Sequence, residues 1–140
     1  MVDWKVVARS SRGVMHQQHK LGCQDFAGYK KLLDHSSILV GAVADGAGSA
    51  RFSEIGSQQA VESAVKFFKE LVEESGTEEF GQQPPSEERA KEWFTNLQHQ
   101  VLENFRQISQ RESYSCDDLA CTLLVFIATP DWMAAMQTGD

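Results

Sequence analysis

The stretch SILVGAVADGAGSARFSEIGSQQAV, residues 37–61, changes character twice. Through Ala44 it is apolar almost without interruption, as a strand buried on both faces requires. A single carboxylate, Asp45, ends the run, and Gly46 and Gly48 follow at once. From Ser53, a plausible N-cap with Glu54 in the first turn, apolar and small residues recur at helical spacing. The order is therefore strand, acidic turn, helix. Asp and Gly are ordinary turn formers. Glycine beside an acid at the tip of a buried strand also lets a ligand reach carboxylate and main chain together.

Outward from this stretch, DWKVVARS (3–10) alternates apolar and polar residues and predicts a first strand, and DFAGYKKLL (25–33) predicts a second. SSILVGAVAD (36–45) is the third. SRGVMHQQHKLGCQ (11–24) between the first two is a long polar loop, the kind that often carries function. The helix from Ser53 presents Ile55, Ala60, Ala64, Phe67, Phe68, Leu71 and Val72 on one face, and Gly76 offers a stop. Pro84 and Pro85 break the connection, Ser86 can cap the next helix, and the apolar set from Ala90 to Ile108 marks it from Glu87 to about Gln110. ACTLLVFIAT (120–129) is a strong strand, Pro130 and Asp131 turn, and WMAAMQTGD begins a hairpin partner. Asp117 and Asp118, just before that strand, read as solvated turn residues.

Three strands, two long helices and a hairpin make an α+β fold, an antiparallel sheet with helices on one side. The 140 residues suffice for one domain. The central strand is apolar on both faces, however, and one helix pair covers only one of them. Either the chain is cut short or it borrows surface from a partner, so the isolated chain is expected to self-associate.

With 41% hydrophobic and 24% charged residues the composition is that of a soluble globular protein, and the net charge of −7 argues against nucleic acid as a partner. The charge is uneven: residues 1–36 hold six Lys/Arg against three Asp/Glu, and residues 70–92 hold eight Glu against two basic residues. No apolar run is long enough to span a membrane and no signal-peptide core opens the chain, so a cytoplasmic protein without a membrane partner is expected. Cys23, Cys116 and Cys121 are odd in number and lack CxxC spacing, which favours free thiols.

Asp25, Asp45 and Asp140 all fall at strand ends or beside glycine. Carboxylates that converge there, together with a backbone carbonyl, are what Mg²⁺ or Mn²⁺ selects. His16, His19 and Lys20 in the polar loop could meet a substrate anion. Cys23 reads as a small buried residue beside Asp25.

In this order, GVMHQQHKLGCQD before a strand, VADGAGSARFSEIGSQQAV opening a helix, and LACTLLVF followed by MQTGD, the chain resembles the type 2C, or PPM, metal-dependent serine/threonine phosphatases. It is most similar to a bacterial-type branch with His and CQD in the first motif. The resemblance runs from Trp4 to Asp140. It implies that this chain is the N-terminal portion of one four-layer α-β-β-α sandwich domain, with one helix pair and about half the strands. It implies that Asp45 bridges two metal ions, that the Gly46 carbonyl binds one of them, and that Asp25 supports the metal-bound waters. Lys20 and His16 would meet the substrate phosphate, and Asp140 would serve a third, weaker ion. Gln24 stands where many members carry Glu and cannot supply its charge. The family's later metal acids lie beyond residue 140.

The expected function of the complete protein is hydrolysis of phosphoserine and phosphothreonine on proteins, with Mn²⁺ or Mg²⁺ as cofactor and phosphorylated proteins as partners. Asp45 and Asp25 are the expected catalytic residues, and the 140-residue chain alone is expected to be inactive. A phosphatase-like binding module is the alternative. A hydrolase of some other phosphate ester is a third reading.

Overall fold

The computed structural model describes residues 3–12, 14, 23–32 and 37–139, with the backbone alone for 76–79. It is α+β. Strands β1 (Asp25–Lys31), β2 (Leu39–Asp45), β3 (Leu123–Ala128) and β4 (Met133–Thr138) form one antiparallel sheet in chain order. Helices α1 (Ser53–Glu79) and α2 (Glu87–Glu112) join β2 to β3, with a short 3₁₀ turn, Cys116–Leu119, before β3.

The side-chain period of two sorts each strand. Val40, Ala42 and Ala44 of β2, with Val125 and Ile127 of β3, turn to one face and are buried against the helices. Phe68 of α1 and Trp93 and Phe94 of α2 meet edge to face, with ring centroids 6.2 and 5.8 Å apart. Full burial of a side chain such as Phe68 contributes about 1.5–3 kcal/mol. Asn104 of α2 also donates to the Ser63 hydroxyl of α1 at 2.8 Å, which fixes how the two helices pair. Gly56 lets α1 cross the 3₁₀ turn: a Cβ there would lie 1.9 Å from the Leu119 carbonyl oxygen.

The opposite face of the sheet is open. Val43 is 50% exposed, Leu124 41% and Met133 67%. Residues 6–11 lie against part of this face and, with it, line a groove.

Four local expectations need correction. Residues 3–10 form no strand. Their alternation is real, with Trp4, Val6 and Ala8 half-buried and their neighbours exposed. The segment lies over the face of the sheet rather than along an edge, so its backbone meets no ladder partner. It is anchored instead by the Trp4 indole, which donates to Ser37 O at 2.7 Å, and by Asp3, which pairs with Lys31 at 2.9 Å.

Ser53 is not a cap. Phe52 occupies that position, and Ser53 is the first helical residue, fully buried beneath the preceding turn. Gly76 does not stop α1, which runs to Glu79. An interior glycine costs only about 1 kcal/mol, and the end is set by packing. Phe80, the residue that closes the helix, stacks on Trp93 with centroids 5.2 Å apart, and on Trp132. Asp118 is not a solvated turn residue. Its carboxylate accepts from Ser115 N in a capping box and pairs with Arg51, and its carbonyl accepts Phe52 N at 2.8 Å. Ser86 does cap α2, accepting from Arg89 N at 3.1 Å.

Candidate metal and phosphate site

Asp25 is the first residue of β1 and Asp45 the last of β2, and the antiparallel register sets them directly opposite each other. Directly opposed side chains have Cβ atoms about 4.5–5.5 Å apart. Both acids share the open face with Ala27 and Val43, and both are exposed. They stand at one end of the groove closed on its other side by residues 6–11, a space of about 570 Å³. Two carboxylates so placed concentrate negative charge at this end of the groove, where a cation is favoured.

The backbone around Asp45 is held on both flanks. Its N–H lies 3.2 Å from the Thr122 hydroxyl and its carbonyl accepts Thr122 N at 2.8 Å. Ala47 N donates to Ala120 O at 2.9 Å, so an isolated bridge sets Gly46 opposite Cys121. The Gly46 carbonyl takes no part in those bonds. Gly46 N donates to Gln24 O at 3.0 Å. A Cβ on Gly46 would lie 2.7 Å from Gln24 O and 2.7 Å from Ser53 Oγ, so only glycine fits this turn. Ser53 Oγ is buried with no hydrogen-bond partner among the described residues.

A second layer of polar groups supports the turn from below. Ser57, fully buried on α1, donates to Gln24 O at 2.6 Å. The Cys121 thiol belongs to the same layer. Burial chiefly raises its pKa to about 11, the Ser57 hydroxyl opposes the shift and the charge of Asp45 adds to it. Cys23, half-buried, has its Sγ 3.5 Å from Asp25 O.

Of the residues singled out from the sequence, Asp25, Asp45 and Gly46 come together. His16, Lys20 and Asp140 lie outside the described residues. Gly139 is described: it has a φ of +86°, and its Cβ position would be 3.2 Å from Thr122 Cα. The TG end of β4 therefore reaches the residue that anchors Asp45. Among the described residues no group of three or more His, Cys, Asp or Glu is placed to hold a metal ion. Two opposed carboxylates and a carbonyl outside the ladder are nevertheless an oxygen-only donor set suited to a hard divalent cation, and they fit one as far as they go. Sequence reasoning missed Ser57, Thr122 and the Gln24 carbonyl. The signal was there in part: serines at 53 and 57, one helical turn apart, interrupt what is otherwise the buried face of α1.

The family model for protein phosphatase 2C matches residues 12–140. Serine/threonine-protein phosphatase 3 of Escherichia coli (strain K12) is 28% identical over 143 residues, covering 99% of this chain and 52% of that protein. The chain thus spans about half the length of that curated relative. No solved structure gives a significant match. No helix among the described residues is long and apolar enough to cross a membrane.

Proposed function

This chain belongs to the protein phosphatase 2C family, and on that premise we propose that the full-length protein hydrolyses phosphoserine and phosphothreonine on phosphorylated proteins with divalent metal ions at the Asp25–Asp45 site. The observation that carries the reading is the register that sets these two acids opposite each other on an open face. The relative's activity, serine/threonine protein dephosphorylation by its name, supports the same reaction class.

Two Mn²⁺ or Mg²⁺ ions, with a third and weaker one, supply Lewis acidity and a water acidic enough to attack phosphorus near neutral pH. The rest falls to the chain. Asp45 and the Gly46 carbonyl would hold the ions, with Asp45 supplying the charge that offsets them. Asp25 accepts hydrogen bonds from water and orients it. Lys20 meets the substrate phosphate as a point charge, without the fork of an arginine, and His16 adds a donor. Asp140 would help to hold the third ion. Thr122 keeps the Asp45 backbone from yielding when charge builds on the phosphoryl group. No Ser or Cys nucleophile is required.

In this reading residues 1–140 are the N-terminal portion of one four-layer α-β-β-α domain. A second sheet covers Val43 and Leu124, and the remaining metal acids come from the rest of the protein. The protein works in the cytoplasm on soluble phosphoproteins. A second reading, a binding module without turnover, draws on Gln24: this residue, where many relatives carry Glu, is buried and its carbonyl is committed to holding the turn. The test is phosphate release by the full-length protein from phosphoserine, phosphothreonine and phosphotyrosine peptides, with Mn²⁺ and with EDTA. Turnover of the first two that needs Mn²⁺ supports the enzyme. Tight peptide binding without turnover supports the module.

A further inference from the structure

The carbonyl oxygen of Gln24 accepts two hydrogen bonds at once. One comes from Gly46 N at 3.0 Å and the other from the Ser57 hydroxyl at 2.6 Å. The peptide it belongs to leads into Asp25, and the peptide that carries Gly46 N leads out of Asp45. A single oxygen therefore joins the two backbone units that carry the opposed acids, and α1 contributes the second donor. We propose that Ser57 is a positioning residue for the metal site: its hydroxyl locks the Gln24 peptide, and through it the spacing of Asp25 and Asp45 and the direction of the Gly46 carbonyl.

Three features make this more than a packing contact. Ser57 is fully buried, so its hydroxyl does not exchange partners with bulk water and the bond persists. The bond is local to the site, since its acceptor directly precedes Asp25. The Gly46 turn has no slack on that side, because Gln24 O and Ser53 Oγ already fill the space of a Cβ. Loss of the Ser57 donor leaves Gln24 O with Gly46 N alone, and the peptide is free to tilt. A tilt there moves Asp25 relative to Asp45, and a two-carboxylate site is sensitive to that separation. Groups that orient metal ligands in this way typically change metal affinity by 10- to 100-fold when removed.

The inference rests on the metal-site reading above, and the experiment separates the two. Mn²⁺ affinity is measured by calorimetry on the full-length protein, wild type and Ser57→Ala, alongside the melting temperature of each in EDTA. The expected result is roughly 10- to 100-fold weaker Mn²⁺ binding by Ser57→Ala with a melting temperature that falls by only a few degrees. Ser57→Cys, which keeps a weak donor of similar size, should recover part of the affinity. It also supplies the comparison should Ser57→Ala fail to fold. If wild type binds Mn²⁺ and the variants bind it equally well, Ser57 is a packing residue and the inference is overturned while the metal-site reading stands. If wild type itself binds no Mn²⁺, the metal-site reading is overturned and this inference with it.

Discussion

Asp25 and Asp45 face each other across β1 and β2, the first residue of one strand against the last of the next, on the face the helices leave open. Like charges in direct cross-strand opposition destabilise a sheet. This chain therefore sets two carboxylates in such opposition, and in the proposed function a shared cation makes them a ligand set. In EDTA, Asp45→Asn should raise the melting temperature of the full-length protein slightly, because one of the two charges is gone. With Mn²⁺ the order should reverse, since an ion that binds only the folded state stabilises wild type more than a variant that holds it weakly. Thermal melts in both conditions check this. The same order in both would contradict it.

Gly46→Ala should damage both fold and site. The new methyl meets the Gln24 carbonyl oxygen and the Ser53 hydroxyl, each 2.7 Å from the Cβ position. Overpacking of this kind costs roughly 1–3 kcal/mol, and neither the backbone carbonyl nor the buried helix can step aside. Denaturant melts should report that loss, and Mn²⁺ affinity should fall with it. Gly48→Ala, at a position where a Cβ meets nothing within 4 Å, should do neither.

How much of this was legible in the sequence depended on whether a signal was local. Val40, Ala42 and Ala44 announced a buried strand, and Ser86 announced its helix start, because neighbouring residues carry both signals. That residues 3–10 pair with no strand and lie over a sheet face did not show, since alternation states that one side is covered but not by what. The end of α1 did not show either: Gly76 is a local stop signal, but the stacking of Phe80 on Trp93 and Trp132 is a long-range contact that overrides it. At the site, Asp25, Asp45 and Gly46 stood out by residue type and spacing. Ser57 and Thr122 did not, because one bonds a residue 33 positions away and the other a residue 77 positions away.

Cys121 should be inert near neutral pH. Burial, joined by the charge of Asp45, raises its thiol from an ordinary 9.0 to about 11. The folded state then holds this proton more tightly than the unfolded chain. Its contribution to stability is complete below pH 9 and is lost as pH rises toward 11. At pH 7.5 iodoacetamide should label the exposed Cys116 well before Cys121, as mass spectrometry of peptides would resolve. Equal labelling rates would contradict the half-buried placement of Cys121.

The 140-residue chain expressed alone should associate, because Val43, Leu124 and Met133 leave apolar surface open on one face of the sheet. At roughly 25 cal/mol per Å², covering that face is worth enough to draw copies together. Sedimentation velocity over a hundredfold range of concentration should show the association. A monodisperse monomer throughout would mean that residues 6–11 already cover what needs covering.

The most direct measurement is phosphate release from a phosphothreonine peptide by the full-length protein, wild type against Asp45→Asn, across a Mn²⁺ titration. The substitution keeps the size of the side chain and removes the charge proposed to offset two dications. Wild type should turn over only with metal. The variant should lose activity by orders of magnitude while keeping its fold by circular dichroism, and added Mn²⁺ should restore only part of the rate. Near-normal turnover and metal affinity in Asp45→Asn would contradict the account, and the acid that ends β2 would then be a turn residue and nothing more.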